Sequence, residues 1–141
     1  MTPNRLIDAN VFLRHILADH AAHSPAARAI FRELASGSIT AWTTSTIVAE
    51  VVWVLGGGVQ KYSREEIGEA VQPLLELQSL HIEGKQTLRR AFEIFRTYNV
   101  DFIDALTASE VEQTEPPEMY SFDRDFDRIP GITRIEPPAV P

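Results

Sequence analysis

Asp8, Glu50, Asp104 and Asp123 are the residues whose type and placement could do chemistry. Asp8 ends the apolar run Leu6-Ile7, Glu50 stands inside the apolar stretch 47–55, Asp104 sits near a helix start, and Asp123 directly follows Tyr120-Ser121-Phe122. No cysteine is present to share the work. Four such carboxylates point to a divalent metal site. Oxygen-only ligands suit Mg²⁺ or Mn²⁺, hard cations that keep several waters and meet substrate phosphates through them. Such an ion lowers the pKa of a bound water, orients it for in-line attack and stabilises charge on the leaving oxygen. The implied chemistry is phosphodiester hydrolysis.

Each acid also has a plainer reading. Asp8 reads equally as the N-cap of the helix that follows it, and Asn10 adds a neutral oxygen or amide donor two residues on. Glu50, flanked by Val48, Ala49, Val51 and Val52, would cost several kcal/mol if buried alone. It therefore faces a cation, lies on a narrow wet seam, or pairs with an arginine such as Arg14 or Arg28. Asp101 and Asp104 stand three apart on one helix face, which is also the spacing of a capping-box variant. Within that pair Asp104 is the ligand candidate and Asp101 a cap or an outer acid. Asp125 and Asp127, alternating with arginines, read as surface or structural residues of a solvated turn. The four histidines, His15, His20, His23 and His81, show no metal-ligand spacing and read as structural or exposed.

The elements that must position these acids alternate in type. Residues 4–8 read as a first buried strand, and Val11, Leu13, Ile16 and Leu17 mark a helix after it. Ser24-Pro25 opens a second helix, with Ser24 as its N-cap, that stops at Gly37. Residues 38–42 read as the second strand. The cap-rich Thr43-Thr44-Ser45-Thr46 leads into a helix over 47–55 that Gly56 to Gly58 end. Ser63 and Glu66 form a capping box for the next helix, which Pro73 kinks or divides. Leu80-His81-Ile82 is a third strand, and Leu88 to Phe95 an amphipathic helix. A last helix runs from about Val100 towards Gln113, with strands over 119–122 and 133–135 after it. Alternation of short strands with helices indicates an α/β fold with a mainly parallel sheet covered on both faces. Ligands of such folds bind outside the carboxyl ends of the strands, where Asp8 and Asp123 both fall.

The 141 residues suit one domain, over 1–136, with an extended, poorly ordered Pro-rich tail over 137–141. Thirteen Lys and Arg against twenty Asp and Glu give a formal charge of −7, so composition alone does not suggest nucleic acid. A carboxylate cluster built for metal can itself supply part of that charge, and a bound cation inverts the field that a phosphate meets. No apolar run approaches the roughly 20 residues of a membrane span, and the first residues carry no apolar leader region. With the lack of cysteine, this points to a soluble, cytoplasmic protein.

The segments Leu6-Ile7-Asp8-Ala9-Asn10, Glu50 in its apolar helix, Asp101-Phe102-Ile103-Asp104-Ala105-Leu106 and Ser121-Phe122-Asp123-Arg124-Asp125-Phe126 together resemble the PIN-domain ribonucleases, especially VapC-type toxins of bacterial toxin–antitoxin pairs. The resemblance spans about residues 4 to 136. It implies a three-layer α/β/α sandwich with Asp8, Glu50, Asp104 and Asp123 at the carboxyl edge of its central sheet. It also implies Mg²⁺- or Mn²⁺-dependent RNA cleavage, a homodimer and a small cognate antitoxin. Under it, Asp8 and Asp104 are the principal metal ligands, Glu50 and Asp123 complete the shell, and one of the four helps to deprotonate the attacking water. Asn10 and Ser121 then position ligands or substrate. Two other readings are a non-catalytic binding domain of the same shape and a HAD-type phosphatase. The latter needs a second acid where this chain has Asn10.

Overall fold

The computed structural model describes residues 5–141, so Asn4, at the head of the expected first strand, lies outside it. The chain comprises two compact units, Met1–Lys85 and Gln86–Pro141. All strand pairing among the described residues is parallel, as the alternation of elements requires.

In the first unit the expected opening strand is reduced to one bridge, Leu6 to Trp42. Backbone bonds fix it: Trp42 N–H donates to Arg5 O at 2.9 Å and Ile7 N–H to Trp42 O at 2.8 Å. The buried Thr43 hydroxyl adds a third, donating to Ile7 O at 3.0 Å. The chain then turns directly into α1 (Ala9–Leu17). Strand β1 (Ala41–Thr43) pairs with β2 (Leu80–Ile82), with Trp42 opposite His81. Both strands bury their outer two positions and expose the middle one, the period-2 pattern of a half-covered sheet.

Helix α2 (His23–Ser36) ends where expected, at Gly37, whose φ of 79° suits a residue without Cβ. Its start differs from expectation. Ser24 lies inside the first turn, and its hydroxyl accepts from the His20 N–H at 3.1 Å. The N–H groups of Ala22 and His23 are instead satisfied by His20 Nδ1, at 3.2 and 2.9 Å. An imidazole thus does the work that the sequence assigns to serine. Helix α3 (Ser45–Gly56) is capped by Thr44, whose hydroxyl accepts from Ile47 N–H. Helix α4 (Arg64–Leu75) carries the predicted Ser63–Glu66 capping box. Pro73 does not divide it, because the helix ends two residues later.

In the second unit α5 (Lys85–Thr97) and α6 (Phe102–Val111) meet through rings. Phe102 sits 4.7 Å from Phe92 and edge-on to Phe95 at 5.6 Å. Arg90 clamps the Glu112 carboxylate with two bonds of 2.9 Å, tying α5 to the end of α6. Strand β3 (Glu118–Tyr120) pairs with β4 (Thr133–Ile135), and a 3₁₀ helix (Arg124–Arg128) fills the connection where a loose turn was expected. Buried Phe126 and Ile129 anchor that connection. Residues 136–141 carry no regular element. Among the described residues, no helix is long and apolar enough to cross a membrane.

Thr43→Val tests the fastening of the Asp8 segment. It keeps the side-chain shape but leaves the Ile7 carbonyl without its donor, so urea unfolding should show a loss of about 1–3 kcal/mol. A variant as stable as the parent would mean that this bond contributes nothing net.

Candidate metal centre

Asp104 and Asp123 are brought together in the second unit, and Asp125 joins them. One carboxylate oxygen from each lies within 4.8 Å of the others. Two ligands of a single Mg²⁺ stand at most about 4.2 Å apart, twice the Mg–O distance. Small side-chain rotations would therefore bring this set onto one ion.

The local sequence holds the three acids in place through backbone bonds. Asp101 is the N-cap of α6 and accepts from the Asp104 N–H at 2.9 Å, so Asp104 leaves the first turn of the helix with its own carboxylate unused. Ser121 Oγ accepts from the Asp123 N–H at 3.0 Å, and an Asp123 oxygen accepts from the Asp125 N–H at 2.9 Å. Arg134 Nη1 in turn donates to Ser121 O. Ser121, expected to position ligand or substrate, thus acts on the backbone of Asp123. Asp125 was expected to be a surface or structural residue. Its membership depends on the tight 3₁₀ turn after Asp123, and the only signal for it in the sequence is the Asp-x-Asp spacing.

Repulsion within the set shows in its electrostatics. Burial, followed by the charges of Asp101, Asp123 and Asp125, pushes Asp104 up to about 6 from its ordinary 3.8. Arg128 reaches Asp125 at 3.3 Å, but both side chains are about half exposed, and such a pair gives way easily to a stronger cation. The donors are all hard oxygens, and they repel one another until a positive charge sits among them. Such a donor set suits a hard divalent cation.

Asp8 and Glu50 belong to the first unit. Asp8 holds the N-cap position of α1 with extended backbone, yet its side chain makes no capping bond and is exposed between buried Ile7 and Ala9. Glu50 lies on a narrow wet seam, one of the three places expected for it. Thr46, Glu50 and Trp53 form the one exposed stripe of α3, and the other faces of that helix supply the core residues Val48, Val51, Val52 and Leu55. Arg14, one expected partner for Glu50, bonds Asp19 instead at 3.1 Å. Asn10 is exposed on α1, beside a shallow apolar groove of 260 Å³.

A family model described as PIN domain matches residues 5–132 and so runs through both units. One relative, a VapC ribonuclease of Aquifex aeolicus (strain VF5), is 25% identical over 133 residues, which cover 94% of this chain and 96% of the relative.

The raised pKa gives Asp104→Asn a signed effect on the metal-free protein. Between 3.8 and about 6 the folded chain keeps a proton that the unfolded chain has released, so Asp104 costs stability as pH rises through that window. The variant should therefore melt above the parent in EDTA at pH 7.5, with no advantage at pH 3.5. Adding Mg²⁺ should raise the parent's melting temperature and leave the variant's unchanged. Equal melting at both pH values would show that neither burial nor the neighbouring charges hold the Asp104 carboxyl up.

Proposed function

Because this chain belongs to the PIN-domain family, we propose that it is a divalent-metal-dependent endoribonuclease that hydrolyses RNA phosphodiester bonds, the toxin member of a toxin–antitoxin pair. The observation that carries the reading is the cluster of Asp104, Asp123 and Asp125, held by backbone bonds with one carboxylate oxygen of each within 4.8 Å of the others. The end-to-end likeness to a VapC ribonuclease supports the choice of RNA.

In this reading Asp104 and Asp123 hold Mg²⁺ or Mn²⁺, with Asp8 as the other principal ligand and Glu50 completing the shell directly or through water. Asp125 steadies the site from its outer side, shared with Arg128. When bound, the cation supplies Lewis-acid stabilisation of phosphate charge and activation of the attacking water. Asp101 and Ser121 do no chemistry themselves. They spend their oxygens on the N–H groups of Asp104 and Asp123 and so fix the two carboxylates before any ion arrives. Asn10, exposed two residues after Asp8, offers an amide to the substrate. The partners in this reading are an RNA substrate, a cognate antitoxin and a second copy of the chain in a homodimer, acting in the cytoplasm.

The test is cleavage of a mixed cellular RNA pool by purified protein, with Mn²⁺ or Mg²⁺ against EDTA. Outer partners of metal ligands commonly cost 10–100-fold when removed, so loss of a ligand should cost roughly 100-fold or more. Asp8→Asn and Asp104→Asn should each lose cleavage to that extent while remaining folded by circular dichroism. Cutting by Asp104→Asn at the parental rate would end the reading.

A further inference from the structure

We propose that Tyr120 and Phe122 form a two-ring strip that stacks successive unpaired bases of the RNA beside the carboxylate centre. The proposal rests on the nuclease reading above. The two rings are 75% and 71% exposed, high values for large aromatic side chains. Neither stacks on another ring among the described residues. Exposure alternates along 118–122, with Glu118, Tyr120 and Phe122 out and Met119 and Ser121 partly covered. Tyr120 closes the extended strand β3, and Phe122 follows two residues on, at the bend that leads into Asp123, with Ser121 partly covered between the two exposed rings.

The backbone beneath the rings is fixed. Tyr120 pairs with Ile135, Ser121 N–H donates to Ile135 O at 3.1 Å, and the Ser121 hydroxyl holds the Asp123 N–H. Phe122 is therefore set between two anchored residues, and the next residue is a member of the carboxylate cluster. A ring in that place reaches the nucleotide flanking a phosphate held at the cluster.

Charge selects the occupant. Glu118 and Asp123 bracket the strip, so a symmetric contact with a second copy would bring like charges together. Uncharged base faces suit aromatic rings whatever their sequence, and sheet-borne aromatics are a common device for holding single-stranded RNA. Exposed Arg124, one residue past Asp123, offers a cation to the backbone of the same strand.

The experiment uses the full chain and a short fluorescein-labelled single-stranded RNA of mixed sequence. Binding is read by anisotropy with every variant placed on Asp104→Asn, so that the probe is not cut. Cleavage is read as separate KM and kcat on the otherwise wild-type chain with Mn²⁺. Phe122→Ala should weaken binding and raise KM roughly 5- to 100-fold with kcat little changed, and Tyr120→Ala should act in the same direction. Phe122→Leu should fail like alanine, and Phe122→Trp should restore binding, because stacking needs a ring where simple packing does not. Parental binding and KM in Phe122→Ala would overturn the strip. So would unchanged RNA binding in variants that sediment as a smaller species, which would make the face a contact between copies. If the wild-type chain leaves the RNA uncut, the nuclease reading fails by itself. The anisotropy arm still decides the strip then, since ring-dependent binding supports it and absent or ring-independent binding overturns it.

Discussion

Like charges do not gather unless something holds them, and in the second unit of this protein the backbone does the holding. Three N–H groups, those of Asp104, Asp123 and Asp125, are each claimed by an oxygen of a nearby side chain: Asp101, Ser121 and Asp123. Each bond is modest by itself, of the order of 1 kcal/mol net. Together they fix where three carboxylates stand against their repulsion. Burial first, and then that repulsion, push the Asp104 carboxyl up to about 6. A site strained in this way is relieved by a cation, which is what a preorganised metal centre requires.

The rest of each unit can be understood as support for such placements. Phe102 plugs the start of α6 against Phe92 and Phe95, so the helix N-terminus carrying Asp101 and Asp104 is held by aromatic packing. Phe126 buries its ring inside the 3₁₀ turn and so pins the segment that brings Asp125 round to Asp123. In the first unit, Ile7 and Ala9 are buried on either side of Asp8, and the Thr43 hydroxyl ties the preceding carbonyl to β1. The apolar neighbours are what oblige the acid between them to point outward.

Elements with local chemistry were legible in the sequence, and those set by tertiary contact were not. The Ser63–Glu66 box, the Asp101 cap, Thr44 before α3 and Gly37 after α2 each announce a helix end, because the atoms involved lie within four residues. Strands of three residues carry too little pattern to fix their ends, so β1 and β3 sit a residue or more from expectation. Ser24 is not the cap that its hydroxyl predicts, because His20 reaches forward with an imidazole nitrogen to the free N–H groups. Glu50 lies on a narrow wet seam, one of the places expected for it, because 3.6-residue periodicity puts positions 46, 50 and 53 on the one open face. Of the acids in the cluster, Asp104 and Asp123 were marked by their places at element ends. Asp125 enters through a 3₁₀ turn that no propensity foretells.

An acidic nuclease must answer how a chain of net charge −7 holds a polyanion. Long-range attraction is excluded, and at cellular ionic strength the field of any one arginine fades within about 8 Å. What remains are contacts that work at short range. A cation bound among carboxylates is one, since it would turn a group of like negative charges into a place for a phosphate. An aromatic face is the other, since a base stacks on it without regard to the sign of the protein. Tyr120, Phe122 and Asp123 stand within four consecutive residues, so both kinds of contact arise from one short segment. The same segment is held on one side by β4 and on the other by the buried Phe126. Such a design has a consequence for selectivity. Duplex RNA, whose bases are already stacked, gains nothing from the rings, and a strand with free bases gains on both terms.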